Sequence, residues 1–332
     1  MKMRTLGRSG LQLAPLALGG NVFGWTVDEA TSFALMDAFV DAGFNFMDTA
    51  DSYSRWVPGN RGGESETIIG RWLRRRPGMR HRVLLATKVG SDMGEGLTGL
   101  RKAYVLQAAE QSLQRLDTDY IDLYQSHCED PGTPVGETLD AYAQLIQQGK
   151  VRAIGASNLS VPALADALHV SAANGYPRYE SLQSRYNLYD RQPFEGAMSD
   201  LCQTETIGVI PHSSLAGGFL TGKYRSEADL GATARGRIMK SMPDRNPLNE
   251  RGLRVLAALD TVAAGISSTP TQVSLAWVLA RGATAALASA TSIEQLNELS
   301  RAATLDLSQN ALRLLDEASN PVLDRTEART GT

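Results

Sequence analysis

Eight short apolar runs, each followed by a longer amphipathic stretch, set the strongest limit on how this chain can fold. The runs cover residues 14–18, 44–48, 83–88, 121–127, 151–157, 181–184, 208–212 and 285–289, and within each the apolar residues are nearly continuous. Strands of that kind are buried on both faces, which calls for a parallel sheet covered by helices. Helical spacing is read in seven of these stretches, over residues 28–41, 64–75, 102–116, 136–148, 160–174, 192–204 and 271–280. Ser160 before Val161-Pro162, and Thr269 before Pro270-Thr271, supply a capping hydroxyl and a first-turn proline.

Eight strand-helix units favour closure into a ring. The expected fold is α/β, a (β/α)8 TIM barrel, with an N-terminal β-hairpin over residues 3–12 and two extra C-terminal helices after the last strand. The polar stretch 226–249 reads as an insertion. Residues 1–320 are expected to form a single barrel domain, which the chain length of 332 residues permits, and 321–332 a polar, flexible tail.

Composition then excludes several partners. A formal net charge of -3 and a pI near 5.9 give no attraction to nucleic acid or to an anionic membrane. No window approaches the roughly 18 apolar residues of a membrane span. Met1-Lys2-Met3-Arg4 is basic, but Gln12 and Pro15 interrupt the apolar residues that follow, so the start reads as mature protein. The two cysteines, Cys128 and Cys202, have no metal or redox spacing, and the four histidines share no ligand spacing. A cytoplasmic protein with a small-molecule partner and no metal is expected, and its oligomeric state is left open.

In a parallel barrel the residues that end the strands gather at one mouth. Asp48, Lys88 and His127 end apolar runs, and Tyr53 lies just beyond Asp48. A free tyrosine titrates near ~10, and an adjacent ammonium lowers that value by favouring the phenolate. Asp48 would hold and balance Lys88. His127 would orient a carbonyl or help relay its proton. An unpaired lysine at a strand end is costly to bury, which argues against a bland role. None of the four accepts a hydride, so a redox reading requires a cofactor.

The stretches Asp48-Thr49-Ala50-Asp51-Ser52-Tyr53, Ala86-Thr87-Lys88-Val89-Gly90, Gln125-Ser126-His127, Gly155-Ala156-Ser157-Asn158, Gln183-Ser184-Arg185-Tyr186-Asn187 and Ser214-Leu215-Ala216-Gly217-Gly218 occur in this order at strand ends. Together they resemble the aldo-keto reductase family over about residues 1–320, in a bacterial branch similar to the potassium channel β subunits. The resemblance implies an NAD(P)(H)-dependent oxidoreductase that interconverts a carbonyl (aldehyde, ketone or sugar) and an alcohol by hydride transfer. Tyr53 is then the general acid or base, tuned by Lys88 and Asp48, with His127 orienting the carbonyl.

It also implies a cofactor site. Ser157, Asn158 and Gln183 correspond to residues that hold the nicotinamide carboxamide, with Gly20, Asn21 and Asp48 nearby. Ser213, Ser214, Leu215, Ala216 and Gly217 match a loop that cradles the pyrophosphate, covered by Lys223 and Arg235. The family commonly has an aromatic residue where His212 stands. At the adenosine end, Ser289, Thr291, Gln295 and Glu298 occupy positions where many members carry an arginine for the 2'-phosphate. The channel-subunit branch has a serine there and still takes NADP(H), so NADP is expected ahead of NAD. Phe23, Trp25 and Trp56, with Tyr53 and His127, are the expected substrate walls, with Asn21, Arg55 and Cys128 beside them. Two other readings stand beside this one: an NAD-dependent sugar or secondary-alcohol dehydrogenase, and a nucleotide-binding regulatory subunit.

Overall fold

The computed structural model describes residues 1–242 and 246–321. A two-stranded antiparallel hairpin, β1 (Arg4–Thr5) and β2 (Gln12–Leu13), opens the chain. The barrel strands follow: β3 (Leu16–Gly19), β4 (Phe46–Asp48), β5 (Leu84–Val89), β6 (Ile121–Ser126), β7 (Val151–Ser157), β8 (Tyr179–Gln183), β9 (Gly208–Val209) and β10 (Ala286–Ala288). All pair in parallel, in the order β10-β3-β4-β5-β6-β7-β8-β9. Backbone bonds from Thr284 N–H to the Val209 carbonyl (2.7 Å) and from Leu287 N–H to the Pro211 carbonyl (3.4 Å) bring the two ends of the sheet together.

The helices are α1 (Glu29–Asp41), α2 (Glu64–Arg75), α3 (Lys102–Leu116), α4 (Val135–Gln147), α5 (Val161–Asn174), α6 (Ala197–Thr204), α7 (Ala234–Ser241), α8 (Glu250–Gly265), α9 (Pro270–Ala280), α10 (Ile293–Arg301) and α11 (Gln309–Ser319). Asp28, Ser160, Thr269 and Ser292 each cap a helix by accepting a backbone N–H, which satisfies donors that have no partner inside the first turn. Both helices expected after the last strand are present. The first, α10, packs between α1 and α9 and so fills the eighth outer position of the ring, while α11 lies on α8.

Three expectations need correction. The helix expected from residue 192 starts at Ala197, because Pro193 and Gly196 (φ 90°, ψ -131°) hold the preceding residues in turns. The strand expected over 208–212 pairs regularly only at Gly208–Val209 before Pro211 interrupts it. Helix α8 follows the insertion and was not anticipated; its buried stripe of Val255, Leu256, Leu259 and Val262 is diluted by alanines. Of the insertion itself, residues 243–245 lie outside the described residues, as does the expected tail beyond Pro321.

Two apolar layers hold the barrel. The larger lies between sheet and helices. The smaller fills the interior with Ala17, Phe46, Ala86, Leu123, Ile210 and Leu287, and the hairpin closes it from below through Leu6, Leu11 and Leu13. The hairpin comes so near β9 that a Cβ on Gly208 would stand 2.5 Å from Leu6 Cδ1 and 2.8 Å from the Gly7 nitrogen. With its lower end plugged, the barrel offers polar strand ends at the opposite mouth. No helix among the described residues is long and apolar enough to cross a membrane.

Candidate active site

Asp48 is the last residue of β4, Tyr53 stands in the turn beyond it, Lys88 lies in β5, and His127 directly follows β6. Lys88 Nζ donates to Asp48 Oδ2 (2.6 Å), the Thr49 carbonyl (2.8 Å) and Tyr53 Oη (2.9 Å). All three ammonium protons are thereby placed. The Tyr53 hydroxyl donates in turn to Asp48 Oδ2 at 3.3 Å. The His127 ring meets the Tyr53 ring edge-on, with centroids 6.0 Å apart.

The Asp48–Lys88 pair is fully buried. Such a pair survives only when the remaining lone pairs are also satisfied. Asp48 Oδ1 accepts from Gln183 Nε2 (2.8 Å) and from Gln125 Nε2 (3.1 Å). Because a carboxylate only accepts, both amide nitrogens must face it. Gln183, implied as a carboxamide partner, therefore has one N–H committed to Asp48, leaving its second N–H and its carbonyl oxygen to offer.

Electrostatics corrects one expectation. Burial raises the Tyr53 phenol above its ordinary value, and although Lys88 lowers it, Asp48 adds to the rise and the net shift is upward. The phenol is therefore a proton donor at neutral pH. Burial alone would lower Lys88, but Asp48 and Tyr53 outweigh it and hold the ammonium charged. His127 is pushed down to about 3 by burial, with Lys88 and His212 adding, so its imidazole is neutral at pH 7. Its Nδ1 is buried with no hydrogen-bond partner among the described residues.

A cavity of ≈ 650 Å³ starts at Asp48, Tyr53 and His127 and runs to Thr291, Gln295 and Glu298. Asn158, held at φ 54°, donates to the His127 carbonyl (3.1 Å) and to Ser157 Oγ (3.0 Å). Its Oδ1 lies 3.0 Å from His212 Nε2, so His212 carries its proton on Nε2 and accepts at Nδ1 from the Ser213 hydroxyl (3.1 Å). Burial, then the charges of Arg185 and Lys88, push His212 down to about 4, so it too is neutral.

Along the middle of the cavity, Ser213, Ala216, Gly217 and Gly218 have φ values of 57°, 48°, 66° and 96°. Left-handed residues in series turn backbone N–H groups into an anion-binding concavity. Ser213, Ser214, Leu215, Gly217, Lys223 and Arg235 line the cavity there. Ala216 lines a neighbouring ≈ 430 Å³ cavity instead. At the far end Ser289 donates to Asn21 Oδ1 (2.6 Å), and Thr291 donates to Gln295 Oε1 through its hydroxyl (3.0 Å) and its N–H (2.9 Å).

Other expected residues fall elsewhere. Gly20 lies behind the wall, its carbonyl accepting from Ser65, while Gly19 and Asn21 line the space. Phe23 is not a substrate wall: it is 1% exposed and packed in the core, with its carbonyl held by Ser54. Trp25 and Trp56 meet edge-on at 5.6 Å, Trp56 lies 6.1 Å from the Tyr53 ring, and Arg235 stacks over Trp25 at 4.7 Å. Arg55 turns out to Asp92, and Cys128 contacts the Gly90 carbonyl. Gln125, Gly218 and Thr271 were not singled out from the sequence. Gln125 stands within the stretch Gln125-Ser126-His127, Gly218 ends the stretch that starts at Ser214, and Thr271 reads only as a helix start.

The profile of the Aldo/keto reductase family matches residues 15–320. The uncharacterized oxidoreductase YrpG of Bacillus subtilis is 34% identical over 96% of this chain and 95% of its own length. The aldo-keto reductase AFTS1 of Alternaria alternata is 32% identical over 95% of this chain and 91% of its own. Protein tas of Escherichia coli is 30% identical over 94% and 96%. A parallel eight-stranded sheet, a polar cluster at its mouth and matches of this extent lead to one conclusion: the chain belongs to the aldo/keto reductase family and is an oxidoreductase.

Proposed function

We propose that this oxidoreductase interconverts a carbonyl and an alcohol with a nicotinamide dinucleotide, Tyr53 giving the proton in reduction and taking it in oxidation. The observation that carries the reading is a protonated phenol held by a buried ammonium at one end of a long cavity. The chain's donors fit a dinucleotide. Asn158 and Gln183 suit a carboxamide, the left-handed residues 213 and 216–218 suit a pyrophosphate, and a Cβ on Gly218 would stand 2.9 Å from Lys223 Nζ, so the lysine lies close over the backbone there.

When bound, the nicotinamide supplies or accepts the hydride. The protein's part is proton movement and orientation. In reduction the Tyr53 O–H donates to the carbonyl oxygen, and Lys88 stabilises the phenolate that forms while Asp48 balances the ammonium. Neutral His127 hydrogen-bonds the same oxygen without acting as an acid. Trp56 beside the Tyr53 ring, with Trp25 edge-on to it, would favour an apolar or sugar face on an aldehyde, ketone or sugar substrate.

NADP(H) is proposed ahead of NAD(H) because the Gln295 amide nitrogen, and the Ser289 and Thr291 hydroxyls once released from Asn21 Oδ1 and Gln295 Oε1, can donate at the adenosine end. Glu298 lines it too, which favours ribose hydroxyls and supports the NAD-dependent dehydrogenase as the second reading. The test is direct: purified protein with NADPH or NADH and a panel of aromatic aldehydes and aldoses should oxidise the reduced cofactor. A protein that binds either nucleotide but turns over no carbonyl or alcohol would contradict the proposal and favour a regulatory role.

A further inference from the structure

We propose that Gln125 is a positioning residue for proton transfer, holding Asp48 by its second carboxylate oxygen so that the first stays on Lys88 and Tyr53. The inference rests on the reading of Tyr53 as proton donor. Asp48 divides its contacts cleanly: Oδ2 takes the ammonium and the phenol, and Oδ1 takes the two amides. Gln183 lines the cavity and is open to a ligand, whereas Gln125 does not line it and is fully buried. Gln125 is therefore the anchor that no bound molecule draws away.

Two further observations support a role beyond packing. The Gln125 carbonyl oxygen is buried without a partner among the described residues. Leaving such a group unpaired costs its full desolvation, so an apolar residue would serve stability better at this position. What the amide contributes is its bond to Asp48. Across the sheet, Gly155 stands in register with Gln125, and a Cβ there would reach Ser181 Oγ at 2.3 Å and Gln125 Cγ at 3.1 Å. The neighbouring strand leaves space for this side chain to run inward. Of the titratable groups, Asp48 on β4 takes its amide proton and Lys88 on β5 stands in register with it, with Tyr53 reached through those two and His127 two residues along the chain.

The test compares two variants with the wild-type enzyme, using NADPH and an aromatic aldehyde. Gln125→Met keeps the length and removes the donor. It should lower kcat by about 10-fold or more, the worth of one hydrogen bond to a charged group. The aldehyde KM and the NADPH Kd, read by fluorescence quenching, should stay within about twofold. Gln125→Glu restores a donor while protonated, and a neighbouring carboxylate raises the pH at which it ionises. It should recover most of the activity at pH 6 and lose it toward pH 9. A folded Gln125→Met enzyme with wild-type kcat, or with raised KM and unchanged kcat, overturns the assignment alone. If that variant does not fold, a pH profile of Gln125→Glu parallel to wild type overturns it. Wild-type protein without carbonyl turnover overturns the reading of Tyr53, and the role of Gln125 with it.

Discussion

Lys88 and Asp48 lie side by side and fully buried, and each makes the other tolerable. Lys88→Met should therefore destabilise the protein by about 3–5 kcal/mol, because it strands a buried carboxylate, as well as abolish turnover. Chemical denaturation checks the first effect, and a loss below ~1 kcal/mol would mean the pair is not isolated from solvent. Asp51 is a different case. Its carboxyl is buried with no side-chain hydrogen-bond partner among the described residues, and burial, with Glu66 adding and Arg115 and the Ser52 N–H opposing, pushes it up to about 8. The folded state then binds a proton that the unfolded state releases near pH 4, so stability falls as pH rises from about 4 to about 8. Asp51→Asn should remove that slope, raising Tm at pH 8 relative to wild type by about 2 °C or more and changing it less at pH 5. Equal shifts at both pH values would show that Asp51 is not protonated in the fold. At this scale the sequence disclosed the residue types and not their contacts. Asp48, Tyr53 and Lys88 were legible as polar ends of apolar runs, but a phenol raised rather than lowered depends on burial, which follows from packing. Gln125 looked like one more strand residue because its partner, Asp48, is 77 positions away.

Elements with strong local signals were read closely, and those set by their neighbours were not. Helices α5 and α9 start where a capping hydroxyl and a proline place them. Helix α8 was passed over because its apolar stripe is thin, and it gains its hold by packing on α9 and α11. Strand β9 is short because Pro211 ends its ladder, yet Ile210 and His212 continue to bond to β8 and the segment that follows it. The hairpin plug gives an element-scale test. Gly208→Ala places a methyl against Leu6 and the Gly7 backbone, where the backbone cannot yield cheaply. It should cost about 1–3 kcal/mol in thermal or denaturant unfolding while KM stays unchanged, since the plug is at the end opposite the cavity. An unchanged Tm would show that the hairpin lifts away freely.

At the scale of the whole molecule, closure of the ring turns weak local motifs into one site. Residues from β4, β5 and β8 meet at Asp48, and the cavity continues to α10 at the far side of the sheet. Eight strand-helix units made that closure legible, whereas the choice of cofactor was not, because it depends on a few side chains at the α10 end. Among the described residues no lysine or arginine lines the Thr291–Gln295–Glu298 end, the lining cations being Lys223 and Arg235 farther along. Discrimination should then be modest, with NADPH tighter than NADH by about 10-fold at most, or ~1.4 kcal/mol, in a fluorescence titration. A far larger ratio would require a cation that this end does not present. The central claim is that Tyr53 moves the proton, and Tyr53→Phe tests it with the loss of a single oxygen atom. Single-turnover reduction of an aldehyde should slow by about 100-fold or more in this variant with the NADPH Kd unchanged, and retention of wild-type rates would contradict the account.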